Sequence, residues 1–193
     1  DASLATVRST LLVAATGTGK TQIACEVIRR RAGKTLFIAH RDELIRQAVE
    51  RITNQTGRTV SVDKAQEFGS TDADVVVASI DTIRSEHRLT RFSPDHFGLL
   101  IIDEAHHCTK SNTYGRVIDY FAPAKLCGFT ATPDRHDEQA MGQVFDDVAY
   151  VYELCDAIKD GWLCPIRATE VECDSIDLSD VKTVAGDLNA GQL

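Results

Sequence analysis

Residues 14–21 read Ala14-Ala15-Thr16-Gly17-Thr18-Gly19-Lys20-Thr21. They fit the phosphate-cradling pattern GxxxxGK[ST] at every fixed position except the first, where Ala14 replaces glycine. Gly17 and Gly19 allow the backbone to curl so that successive N–H groups, with those of Thr16 and Thr18, point inward, and the helix that follows presents its positive end to a phosphate. Lys20 then suits the β and γ phosphates of ATP, and the Thr21 hydroxyl suits a Mg2+ ion. A glycine-rich turn without a ligand is the alternative, and the succession of strand, loop, Gly-Lys-Thr and amphipathic helix argues against it.

A nucleotide site of this kind needs a carboxylate at the end of a second buried strand, because magnesium takes hard oxygen ligands opposite the phosphates. Leu99-Leu100-Ile101-Ile102-Asp103-Glu104-Ala105-His106 supplies one. Asp103 is placed to hold the ion through its water shell, and Glu104 to polarise an attacking water as general base. By themselves two adjacent acids at a strand end read equally as a solvated turn. Glu104, His106, His107 and Cys108 also invite a zinc reading, but they lack an HExxH or paired-cysteine spacing.

The elements that must position these residues alternate between apolar, β-rich runs and helical patterns, which predicts an α/β fold with a parallel sheet and helices on both faces. Leu11–Ala14, Thr35–Ala39, Asp74–Ser79, Leu99–Ile102 and Lys125–Phe129 read as strands, most of them too uniformly apolar to have a wet face. Ile23, Val27 and Ile28 mark one helix face and Leu44, Ile45, Ala48, Val49 and Ile52 another, with Gly33 and Gly57 as stops. Tyr114–Phe121 and Glu153–Lys159 read as shorter helices and Ile166–Cys173 as a last strand. The expected domain is 1–173, with the polar segment 174–193 as a linker or the start of a following region.

With 193 residues, 43% hydrophobic and 26% charged, the chain has the balance of a soluble one-core protein. It has no run of ~18 apolar residues to span a membrane and no secretion signal, so a cytoplasmic protein is expected. Six cysteines without a CxxC pair read as reduced thiols. The net charge of −8 conceals an asymmetry, since residues 1–60 carry +5 and residues 61–193 carry −13. That local surplus is compatible with a nucleic-acid partner without requiring one.

Taken in order, these phrases resemble the motifs of a DEAD/DEAH-type superfamily 2 helicase. Ala14–Thr21 is similar to motif I, Phe37–Leu44 with Gln47 to motif Ia, Asp103–His106 to motif II and Thr130-Ala131-Thr132-Pro133 to motif III. Val77–Ile83 resembles the strand end through which the family touches nucleic acid. In style the phrases are closest to the motors of type I and type III restriction enzymes and of excision-repair helicases.

The resemblance implies the first RecA-like, P-loop NTPase domain of an ATP-dependent helicase or translocase that hydrolyses ATP with Mg2+. It implies backbone contacts to nucleic acid, DNA favoured, through His40, Arg41, Ser79 and Thr82. It also implies coupling of nucleotide state through His106, Thr130 and Thr132. Lys20, Asp103 and Glu104 are the implied catalytic set. The pattern departs from the family where the upstream adenine-reading element and a second RecA-like domain with its arginine finger would stand, so the isolated domain is expected to be nearly inactive. The alternatives are a nucleotide-regulated nucleic-acid-binding module without turnover and a P-loop enzyme acting on a small molecule.

Overall fold

The computed structural model describes residues 2–131, 142–169, 183–184 and 187–188. Helix α1 (Ala2–Thr6) leads into β1 (Ser9–Ala14), α2 (Lys20–Arg30), β2 (Thr35–Ala39), α3 (Asp42–Thr56), β3 (Val60–Asp63) and β4 (Val75–Ser79). Two one-turn helices, α4 (Ile80–Ile83) and α5 (Glu86–Leu89), precede β5 (Leu99–Asp103). A 3-10 turn (Ala105–His107), α6 (Thr113–Tyr120), β6 (Lys125–Thr130), β7 (Asp147–Tyr152) and α7 (Leu154–Lys159) follow. Among the described residues, seven strands form one sheet in the order β3-β4-β2-β5-β6-β1-β7, every neighbouring pair parallel.

The five strands expected from the sequence are the five inner ones. Their uniform apolarity comes from two buried faces. Leu36, Ile38, Val76, Ala78, Leu100 and Ile102 join one hydrophobic cluster, while the alternating Phe37, Ala39, Val75, Val77, Leu99 and Ile101 join the other. Residues of α4, α5 and α6 complete the first cluster and residues of α1, α2 and α3 the second. Helices therefore cover both faces, as expected.

The edge strands lack that signature and were not expected. β3 is half-buried, and the middle residues of β7 are exposed. Two further expectations need correction. Ile23 is 36% exposed, and the face that α2 buries is Ala24, Cys25, Val27 and Ile28. Helix α2 ends at Arg30 with Arg31 already extended, so Gly33 belongs to the turn beyond it, whereas Gly57 does cap α3 in the left-handed conformation.

Residues 166–169 form no strand, and the remainder of Ile166–Cys173 lies outside the described residues. Within the segment read as a linker, β8 (Thr183–Val184) and β9 (Asp187–Leu188) pair antiparallel. Among the described residues no helix is long and apolar enough to cross a membrane.

Candidate nucleotide site and nucleic-acid rim

Because all seven strands are parallel, their C-terminal ends share one rim, where loops meet and ligands of open α/β sheets bind. The loop between β1 and α2 turns through Gly17 (φ 87°) and Gly19 (φ 90°). An L residue is strained at both, and a Cβ on Gly17 would also approach Leu163 Cδ2 to 3.1 Å. Thr18 closes the turn, its hydroxyl donating to the Ala15 carbonyl at 2.6 Å. Lys20 folds over the loop, its ammonium donating to the carbonyls of Ala14 (3.0 Å) and Ala15 (3.4 Å). At the start of α2 the Gln22 and Ile23 N–H groups donate to the Gly19 carbonyl at 2.8 and 3.2 Å, and those of Lys20 and Thr21 stand before the first helical bond, at the open end of the helix.

Two strands away, β5 ends on Asp103 and the chain turns at Glu104, a non-glycine residue in the left-handed region (φ 55°, ψ 51°). This conformation costs roughly 1–2 kcal/mol. It reverses the chain directly into the 3-10 turn and brings three side chains together. His106 Nδ1 lies 3.3 Å from Glu104 Oε2 and 3.1 Å from Thr130 Oγ1 at the end of β6. A carboxylate oxygen can only accept, so an Nδ1–H directed at both oxygens satisfies the arrangement, leaving the Thr130 hydroxyl proton for another acceptor. Thr132, the other residue of that expected relay, lies outside the described residues.

Burial, reinforced by the adjacent Glu104 charge, pushes the Asp103 carboxyl above its ordinary range; its bond from the Glu104 N–H and the charges of Lys20 and His40 oppose the shift. A desolvated carboxylate beside a second acid is stabilised by a hard cation, and the Thr21 hydroxyl offers a second oxygen ligand. Thr16, Gly17, Gly19, Lys20, Thr21, Asp103 and Glu104 line a cavity of about 240 Å³ with Leu44, Gln47 and Arg51 of α3. The donor set fits a magnesium–triphosphate group.

Arg51 is the residue of this cavity that sequence reasoning missed. The available signal was its spacing, since Leu44, Gln47 and Arg51 recur at i, i+3 and i+7 on one face of α3. By contrast, Cys108 belongs to the core, fully buried with its thiol pushed up to about 12 by desolvation.

The cavity has a neighbour of about 240 Å³ lined by His40, Arg41, Glu43, Leu44, Glu104, His106 and His107. Leu44 and Glu104 are common to both. His40 accepts from Arg41 Nε at 3.1 Å and meets the edge of His107 at 5.3 Å between ring centres, while its buried Nδ1 has no hydrogen-bonding partner among the described residues. Arg41 is exposed. Ser79, at the end of β4, is only 7% exposed, the one buried residue of the four expected nucleic-acid contacts. Thr82 is half-buried, and its oxygen accepts from the Ala65 N–H at 3.0 Å. The rim thus divides into a half at β5, β6 and β1 that carries the candidate nucleotide site and a second half at β3, β4 and β2.

Residues 4–135 match the family described as type III restriction enzyme, res subunit. The chain belongs to that family. It is similar to the putative ATP-dependent helicase IRC3 of Saccharomyces cerevisiae, with 35% identity over 93% of this chain and 28% of that protein. The type I restriction enzyme EcoAI endonuclease subunit of Escherichia coli is 32% identical over 93% of this chain and 24% of its own length. Among solved structures, the Hef helicase domain of Pyrococcus furiosus superposes with a TM-score of 0.66 at 22% identity, covering 79% of this chain and 37% of that one. This likeness shows the RecA-like fold. The chain spans about a quarter of the length of the two sequence relatives.

Proposed function

We propose that this chain is the ATP-binding half of a nucleic-acid motor, a helicase or translocase that hydrolyses ATP with Mg2+. The observation that carries the reading is the shared wall between the two cavities of the rim. Glu104 borders the phosphate loop on one side and the His40–Arg41 pocket on the other, and through His106 it is tied to Thr130.

Lys20 would offset phosphate charge in the bound state. Thr21 and Asp103 would hold the magnesium ion, which supplies charge neutralisation at the phosphates. Glu104 would orient a water and take its proton. On the other half of the rim, His40, Arg41 and Thr82, with Ser79 behind them, would meet backbone phosphates, which carry affinity and little sequence information. DNA is favoured because the phrases around His40, Asp103 and Thr130 resemble those of restriction motors. The second RecA-like domain, with an arginine finger, would complete the site in the intact protein, and isolated residues 1–173 would turn over very slowly.

The test is ATP turnover by the protein at its native length, with and without single-stranded DNA and RNA. Stimulation by a strand, abolished in Lys20→Ala, is the expected result. Turnover indifferent to every strand would overturn the motor, and nucleotide-dependent strand binding without turnover would identify a regulated binding module instead.

A further inference from the structure

The rim does not end at Thr82. Beyond β4 lies edge strand β3, whose last residue, Asp63, pairs in register with Ala78, the residue before Ser79. Asp63 is fully buried and holds two arginines, with Arg88 Nη1 3.1 Å from Oδ1 and Arg91 Nη1 3.0 Å from Oδ2. The Gly69 N–H donates to the same carboxylate at 2.9 Å. The guanidinium groups also hold the loop, Arg88 donating to the carbonyls of Ala65 and Glu67 and Arg91 to that of Gly69. Residues 64–67 close in a tight turn. Its base is tied to both neighbouring strand ends, through Lys64 to Asp42 (2.8 Å) beside Arg41 and through the Ala65 N–H to Thr82.

This framework displays one large apolar side chain. Phe68 is 53% exposed and contributes to neither hydrophobic cluster. Arg88 lies over one face of its ring, 3.6 Å from Cζ to the ring centre, with Arg91 at 4.9 Å. The ring is held by Arg88, has the His87 ring tilted beside it at 5.9 Å between centres, and remains half exposed. Two guanidinium charges face one carboxylate in the clamp itself, and the exposed Glu67 of the turn stands beside it.

We propose that Phe68 is a stacking platform for an unpaired base of the strand that crosses the His40–Arg41–Thr82 rim; this rests on the function proposed above. Aromatic platforms beside a cationic track bind single strands without reading sequence, because every base has a π face. A ring already fixed in place loses little freedom when a base covers it.

The experiment uses the protein at its native length and oligo(dT). Phe68→Ala is expected to weaken single-strand binding roughly 5- to 100-fold, with Phe68→Trp retaining it and duplex binding nearly unchanged. In Phe68→Trp, the emission added over that of the wild type reports on the platform, and it should be quenched as oligo(dT) binds. Unaltered binding by Phe68→Ala, where Arg41→Ala weakens it, overturns the platform and leaves the motor standing. Failure of the wild type to bind any strand overturns both. Equal losses for single strand and duplex exclude base stacking. Emission already that of a buried indole before a strand is added would mean that the ring docks against protein.

Discussion

Along the C-terminal rim, the ends of β5, β6 and β1 carry the proposed nucleotide cradle on short runs of contiguous sequence. The ends of β3, β4 and β2 carry a surface assembled from side chains as distant in the chain as Asp42 and Arg91. The first half relies on backbone geometry, with Gly17, Gly19 and Glu104 all at positive φ. The second also has a left-handed residue, Ala65 (φ 50°), but its turn is held by a buried carboxylate that binds two guanidinium groups. A phosphate cradle must present N–H groups at fixed positions, which only a constrained backbone can do. A surface that accommodates any strand needs charge and an open face, for which no particular spacing is required.

Substitutions that silence one half and spare the other test this division. The largest effect is expected at Glu104. Glu104→Gln should lower turnover by roughly 10²–10⁴ while ATP still binds, whereas Lys20→Ala should lose most nucleotide affinity. Wild-type turnover in Glu104→Gln would remove that residue from the chemistry.

Next comes the strand half. Asp63→Ala leaves two arginines without their buried counter-ion, at a cost of about 3–5 kcal/mol. The melting temperature should then fall by roughly 10 °C. A shift under 2 °C, within the range of ordinary surface changes, would show that the clamp is not what holds residues 64–69.

Alkaline pH should strain the nucleotide half first. Desolvation pushes the thiols of Cys108 and Cys127, on either side of β5 and β6, up to about 12 from an ordinary value of 9.0. With the folded pKa raised, the stability is fully present below 9 and is lost as pH rises toward 12, because the unfolded chain ionises first. Each thiol contributes about 1.4 kcal/mol per pH unit in that window. Thermal melts of Cys108→Ala and Cys127→Ala between those limits should be flatter than those of the wild type, and parallel curves would refute the assignment.

The smallest effect belongs to Arg41. Arg41→Ala should weaken strand binding to a similar degree across sequences and reduce the slope of log affinity against log salt by roughly 0.7 for a single strand. A change confined to particular sequences would mean that Arg41 reads bases.

How much of this was legible follows from the same division. The cradle could be read because Gly17-Thr18-Gly19-Lys20-Thr21 and Asp103-Glu104 are each continuous and lie at the ends of strands whose double burial makes them uniformly apolar. Arg51 was not read, since its place in the cavity depends on how α3 packs against α2. Nor was the Asp63 clamp, whose partners stand 25 and 28 residues away with no motif between them. Edge strands β3 and β7 escaped for a related reason. A strand with one neighbour buries too little to leave a clear pattern in its side chains, and β7 is mostly exposed.

The left-handed turn at Glu104 sets two requirements against each other in a single residue. Glycine at this position would relieve the backbone and free Asp103 from a neighbouring charge, giving a sturdier protein without the general base proposed for ATP hydrolysis. Heat tolerance and catalysis therefore pull in opposite directions here. A screen that selects only for folding should drift toward glycine at position 104, and one that selects for turnover should retain the strained acid.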